Sequence, residues 1–181
     1  ADDWYVLRKY RFEFLRSDGS RQTLSREAYD RGNGAVVLLY SRARGSVFLT
    51  RQFRLPAYVN GHPDGMLLEA PAGLLDAEAP AVAIRREVEE ETGFRLARIE
   101  PVLTAYMSPG SVTERLHFYV AEVEPEDRVA SGGGDTAEGE DIEVVELPFA
   151  AALAGVQSGE IVDGKTIMLL YHARLAGLLD V

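Results

Sequence analysis

The sequence predicts an α+β chain, with a mixed central sheet carrying helices on both faces and a small antiparallel β-sheet ahead of it. Three observations carry this expectation. The first third is a series of apolar or partly alternating runs divided by turn residues. One well-bounded helical stretch lies mid-chain, at about Ala79 to Thr92. Two further helical stretches come only near 149–157 and 165–178, so helices interrupt the strands at widely separated points.

Taken in order, YVLRKYRFEFLR (5–16) alternates in part, Ser17-Asp18-Gly19-Ser20 is a turn signal, and RQTLSREAYD (21–30) continues as a second strand. Residues 1–34 read as an N-terminal β element and 35–181 as the main domain. AVVLLY (35–40) is apolar throughout, which places it centrally in a sheet. SVFLTRQF (46–53) follows after Ser41–Gly45 as its hairpin partner. Leu55 to Gly65 reads as loop, and MLLEAPAG (66–73) as a short strand entering a Pro-Ala-Gly turn. Pro80 suits a first helical turn and Gly93 a left-handed stop. Residues 96–107, 115–123 and IEVVEL (142–147) read as strands, and Ser131-Gly132-Gly133-Gly134 as flexible linker. Gly164 separates the two late helices.

The net charge of −10 is unevenly spread. Residues 122–146 hold ten acids and one base, whereas 1–54 hold eleven bases and six acids. The acidic stretch is either a solvated loop or a cation-binding element beside an anionic ligand. A nucleic-acid partner is not expected, because no concentrated basic surface is encoded. No run is long and apolar enough for a membrane, and ADDWYVLRKY at the start has no secretory apolar segment. The absence of cysteine removes disulfides, thiol nucleophiles and cysteine-ligated zinc, and fits a reducing compartment; the cytoplasm is the expected location. Seventeen of nineteen basic residues are arginine, which suits bidentate phosphate contacts.

The chemistry concentrates in Gly73-Leu74-Leu75-Asp76-Ala77-Glu78 and Arg86-Glu87-Val88-Glu89-Glu90-Glu91-Thr92-Gly93-Phe94. On a helix, residues three and four apart are neighbours, so Glu87, Glu90 and Glu91 share one face. They lie close to the helix C-terminus, where the dipole is also negative. Selection for stability alone would avoid that crowding. A hard divalent cation offsets it, and Mg²⁺ is held by carboxylates together with phosphate oxygens of a substrate. Arg86 reaches Glu90 at i+4.

This segment resembles the signature of the Nudix hydrolases. Arg86 to Phe94 matches at every position. From Gly73 to Arg86 the chain is one residue shorter than the pattern, so either Gly73 is displaced by one while Glu78 keeps its place, or the turn carries a deletion. The resemblance extends to Tyr29-Asp30-Arg31-Gly32-Asn33-Gly34, Arg51-Gln52-Phe53-Arg54, Val59-Asn60-Gly61, Ala72-Gly73-Leu74-Leu75-Asp76, Tyr106-Met107-Ser108-Pro109-Gly110, and Gly132-Gly133-Gly134 ahead of Glu140-Asp141-Ile142-Glu143-Val144. These look like the GDP-mannose pyrophosphatase branch, close to the ADP-ribose pyrophosphatases. Glu69-Ala70-Pro71-Ala72-Gly73 reads more like the latter.

The resemblance implies a Nudix-type α/β/α sandwich and Mg²⁺-dependent hydrolysis of a nucleoside diphosphate sugar, with Mn²⁺ as a substitute ion. GDP-mannose is the expected substrate and ADP-ribose the alternative; a non-catalytic module that senses a nucleotide sugar is the reading from another class. Glu87 and Glu91 become metal ligands, joined by Glu90 and the main-chain carbonyl of Ala72. Glu140 becomes the late-loop ligand or general base, with Glu138 and Glu143 as alternates. Arg51, Arg54, Tyr106, Ser108, Pro109, Gly110 and Glu114 become substrate contacts. Alternation along a strand puts Arg51 and Arg54 on opposite faces unless the strand has ended. His62, His117 and His172 show no ligand spacing and receive no role. The family likeness also implies a homodimer in which the N-terminal strands reach the partner's pocket.

Overall fold

The structure, a computed structural model, describes residues 5–180, with the Glu138 side chain outside the description. Strands β1 (Val6–Leu15) and β2 (Arg21–Asp30) pair antiparallel as a separate ribbon. Seven more strands form one sheet: β3 (Gly34–Ser41), β4 (Ser46–Phe53), β5 (Met66–Glu69), β6 (Ala72–Leu74), β7 (Glu100–Tyr106), β8 (Arg115–Glu122) and β9 (Glu143–Pro148). The helices are α1 (Leu55–Val59), α2 (Pro80–Thr92), α3 (Phe149–Ser158) and α4 (Gly164–Leu175).

β3 lies at the centre and every residue of it is buried. The period of two sends its side chains to two separate cores. Ala35, Val37 and Leu39 meet Ala83, Ile84 and Val88 of α2. Val36, Leu38 and Tyr40 meet Phe149 and Ala152 of α3 and Leu169, Leu170 and Ala173 of α4. The result is the three-layered arrangement that the sequence predicts.

β3 and β8 run parallel over Gly34–Tyr40 of β3; the other strand pairs are antiparallel. The opposite edge of β3 meets β4 only at Leu39–Ser41 and β6 at Gly34–Val36. β4 is paired along one edge with β9, and along its other edge first with β3 and then with β5. β3 and β4 therefore splay apart, and the β5–β6 segment fills the gap as a wedge. This wedge carries Ala72 and Gly73 into contact with α2.

Two local expectations change. Leu55 to Gly65 is not loop throughout, because Pro56 sits in the first turn of α1, where its fixed φ favours a helix start. Residues 131–134 are not a linker. The N–H groups of Gly133 and Gly134 donate to the carbonyls of Glu91 (2.9 Å) and Glu90 (3.1 Å), and that of Val129 donates to Gly93 (2.8 Å). A helix end leaves its last carbonyls without partners, and this segment supplies them. Glycine is required there: at Gly132 a Cβ would lie 2.5 Å from the Glu91 carbonyl oxygen. At Gly93 (φ +78) it would lie 2.0 Å from that of Ala130.

The ribbon is barely covered. Tyr10, Phe12 and Phe14 share one face and are 47%, 40% and 48% exposed, with Leu24 directly opposite Phe12. A two-stranded ribbon is marginally stable alone.

Gly93→Ala is expected to destabilise the protein by at least about 2 kcal/mol, since it combines left-handed strain with a backbone clash. The urea midpoint at constant m-value measures this, and an unchanged midpoint would mean the cap contributes nothing.

Candidate active site

α2 presents Glu87, Glu90 and Glu91 on one face but at graded depth. Glu90 is exposed, Glu87 is half-buried, and Glu91 is only 3% exposed. Glu91 Oε2 is buried with no hydrogen-bond partner among the described residues. Burial, reinforced by the charges of Glu87 and Glu140, pushes the Glu91 carboxyl up to about 8. Burial, with Glu90 and Glu140, likewise pushes Glu87 up to about 7 against the opposing pull of Arg86.

Gly73 lies directly against this face. A Cβ there would stand 2.2 Å from Glu87 Cδ, so only glycine lets the carboxylate approach the wedge. The turn after it closes although one residue short: Asp76 adopts a left-handed conformation (φ 48), and Glu78 N–H donates to the Leu75 carbonyl (2.8 Å). Glu78 itself pairs with Arg86 (3.0 Å), which also holds Glu87 (3.1 Å) and Glu90 (3.1 Å). Glu78 thus anchors the arginine that spaces the helix acids.

Glu140 arrives from the far side by way of the glycine cap. Its Oε2 accepts from Asp135 N–H (2.9 Å), its own N–H donates to the Asp135 carbonyl (3.1 Å), and Ile142 N–H donates to Gly133 (3.1 Å). The cap that finishes α2 is therefore also what delivers the fourth acid. Glu143 lies exposed on β9, opposite Arg51 in register, and the Glu138 side chain lies outside the described residues.

Arg51 and Phe53 are exposed and Gln52 between them is buried, so the alternation of β4 carries one residue past its end and sets Arg54 on the inward side, opposite Arg51. Arg54 turns inward and forks onto Glu69 (2.7 and 2.8 Å). Glu69, 1% exposed, also accepts from Lys165 Nζ (2.7 Å), which contacts Asp163 (3.0 Å). Burial alone would raise Glu69, but the Arg54 hydrogen bond and the two positive charges outweigh it and hold the carboxyl at about 2. Arg54 and Glu91 feel each other's charge, so the guanidinium borders the acids. Neither Glu69 nor Lys165 was expected from sequence. The only signal was Lys165 being one of two lysines, directly after Gly164 at a helix start.

Tyr106, Ser108, Pro109 and Gly110 are exposed around the β7–β8 loop, and Glu114 lies 3.5 Å from Arg31. This loop sits at the end of the sheet where Gly34, Leu116 and Gly73 meet, the end that carries the acids. A recess of about 450 Å³ lined by Arg44, Ser46, Glu146 and Pro148 lies at the opposite end, by the β3–β4 turn, and touches none of these groups.

Among the described residues no three His, Cys, Asp or Glu side chains are drawn into a ready cation cage. The donor set nevertheless fits a hard divalent ion. Its members are all carboxylates, they face one another closely enough to raise one another's pKa, and one buried oxygen lacks any partner.

Residues 30–164 match the family model described as NUDIX domain. The chain belongs to the Nudix hydrolase family. Residues 1–29 of this Nudix hydrolase match a second model, the GDP-mannose pyrophosphatase NudK N-terminal domain. It is 56% identical over 177 residues to a GDP-mannose pyrophosphatase of Pectobacterium atrosepticum, covering 98% of this chain and 91% of that one. It is 52% identical over 179 residues to one of Yersinia enterocolitica, covering 99% and 93%. The crystal structure of an ADP compounds hydrolase superposes with a TM-score of 0.71 at 17% identity, covering 93% of this chain and 85% of that one, a likeness of fold.

The raised carboxyls set a pH dependence for the metal-free Nudix hydrolase. Folded Glu87 and Glu91 keep protons, up to about pH 7 and about pH 8, that the unfolded chain releases near its ordinary carboxylate range. The folded state then binds more protons, so stability falls as pH rises through that window. Thermal unfolding in EDTA should show this decline, Glu91→Gln should flatten it, and Mg²⁺ should reverse it. A metal-free profile that rises from pH 5 to pH 8 would contradict the burial of Glu91.

Proposed function

We propose that this Nudix hydrolase cleaves GDP-mannose to GMP and mannose 1-phosphate with Mg²⁺, for which Mn²⁺ can substitute. The observation that carries the substrate is the likeness to GDP-mannose pyrophosphatases over both the acid-bearing part and the N-terminal element. Glu87, Glu91, Glu140 and the Ala72 carbonyl would hold the ion, with Glu90 serving a further one. When bound, a divalent cation there supplies charge to the phosphoryl oxygens and acidifies water. At least one of Arg51 and Arg54 contacts a phosphate or the base, and Tyr106, Ser108, Pro109, Gly110 and Glu114 form the substrate loop. Glu140 accepts a proton as water adds to one phosphorus. The bridging P–O bond breaks and the second phosphate departs on its own oxygen. A non-catalytic sensor would be expected to have lost a helix acid, and all three are present.

Incubation with Mg²⁺ and GDP-mannose, ADP-ribose, ADP-glucose, NADH or diadenosine polyphosphates, with product identification, tests the reading. GMP and mannose 1-phosphate should form fastest. Preference for ADP-ribose, which the Glu69–Gly73 segment favours, would move the assignment to that substrate. Glu140→Gln should lower kcat by about a hundredfold or more. Retained activity would move the base to another acid.

We further propose a cytoplasmic homodimer in which residues 1–34 act as the association element and 35–181 as the catalytic domain. The exposed Tyr10, Phe12 and Phe14 face supports it, as does the +5 balance of residues 1–54 (eleven bases less six acids), which complements an acidic site. Light scattering at micromolar concentration should give twice the mass of 19.9 kDa, and Phe12→Glu should shift it to one. A monomer for the parent protein would sink the claim.

A further inference from the structure

We propose that Asp30 is a positioning residue for the substrate loop, locking residues 107–114 to the N-terminal ribbon. The loop closes on itself first: Ser111 and Val112 N–H groups both donate to the Ser108 carbonyl (3.1 and 2.8 Å). Residues 108–111 and 113 are exposed, so core packing does little to hold this turn. Its attachment is instead a short parallel bridge between Tyr29 and Val112. Tyr29 N–H donates to the Ser111 carbonyl (2.8 Å), and Thr113 N–H donates to the Tyr29 carbonyl (3.0 Å).

Asp30 completes the bridge with its side chain. Its Oδ1 accepts from the Thr113 hydroxyl (3.1 Å) and from Gly32 N–H (3.3 Å), while Oδ2 pairs with Arg8 of β1. The next residue, Arg31, reaches Glu114 at 3.5 Å. One carboxylate therefore joins three segments: the outer ribbon strand, the turn into β3, and the loop. Beyond this bridge the loop is tied where β7 and β8 pair at Tyr106 and Arg115, and by Arg115 N–H on Asn33 Oδ1 (3.0 Å). The Asp30–Thr113 contact adds a side-chain tie at the residue next to Glu114 and so sets the direction of that carboxylate. Asp30 acts through Thr113, and no direct contact with substrate is required of it.

The inference rests on the reading that the loop and Glu114 meet the substrate, so the experiment separates the two. KM and kcat for GDP-mannose are measured for Asp30→Ala, Asp30→Asn, Thr113→Val, the Asp30→Ala/Thr113→Val double variant and Glu114→Gln, alongside melting temperature and solution mass. Thr113→Val keeps the side-chain shape and leaves the Arg8 pair intact, so it decides the matter if Asp30→Ala fails to fold. Asp30→Ala and Thr113→Val should each raise KM about tenfold with kcat within about twofold, as expected for lost orientation of a binding group. The double variant should be about as impaired as Asp30→Ala, because the Asp30–Thr113 contact is already gone there and Thr113→Val adds only loss of the longer hydroxyl contact to the Tyr29 carbonyl (3.4 Å). Asp30→Asn, still an acceptor for the hydroxyl, should recover most of the KM. A KM within about twofold of the parent for Thr113→Val, while Glu114→Gln raises it, would overturn the positioning role alone. Additive losses in the double variant would overturn it too. An unchanged KM for Glu114→Gln would overturn the substrate-loop reading and this inference with it.

Discussion

Carboxylates crowded at the negative end of a helix are the constraint around which this protein is built. α2 buries Glu91 with a free oxygen, stacks Glu87 beside it, and receives Glu140 from another part of the chain. Each of these costs stability in a metal-free protein, because burial and like charge both oppose ionisation. The surrounding structure answers that cost at several points. Arg86 bridges three acids along the outer edge. The glycine cap satisfies the helix carbonyls that would otherwise add to the negative field. Arg54 and Lys165, gathered on Glu69, bring positive charge to the inner edge without occupying the acids.

Much of this was legible in the sequence where the signal is local. The helix from Pro80 to Thr92, its Gly93 stop, and the shared face of Glu87, Glu90 and Glu91 follow from spacing of 3.6 residues per turn, and the structure has them. The all-apolar run AVVLLY announced a strand buried on both sides, and β3 is one. What stayed hidden depends on contacts between distant segments. Three consecutive glycines look the same whether they serve as slack or as a cap; the carbonyls of Glu90 and Glu91, some forty residues earlier, decide it. Glu69 reads as a strand residue until β4 ends one residue before Arg54 and the guanidinium folds onto it. Lys165 sits two residues after Asp163 in the chain, but the partner that gives it a place in the site, Glu69, lies on β5 almost a hundred residues earlier.

The ribbon links the two ends of the argument. It reads as strands from sequence, and strands they are, yet among the described residues their apolar face of Tyr10, Phe12 and Phe14 stays largely exposed. At the same time its last residues are bonded to the β7–β8 loop. Whatever settles against that face also settles the loop, since the ribbon is short, paired along its whole length, and continuous into β3.

The wedge of β5 and β6 between the splayed β3 and β4 has a consequence for how spacing along the chain is read. The position of the acids relative to the sheet is set where Gly73 touches Glu87, and both sides of that contact are anchored, one by pairing with β3 and the other by the α2 core. The chain between them, Leu75 to Ala79, loops out to solvent beyond a buried Leu75. The chain closes this exposed turn with a single left-handed aspartate, Asp76, at a distance from the contact itself. Spacing counted along the chain across this turn therefore measures the length of a surface detour, whereas the geometry of the site is set by the close approach of Gly73 and Glu87 across it.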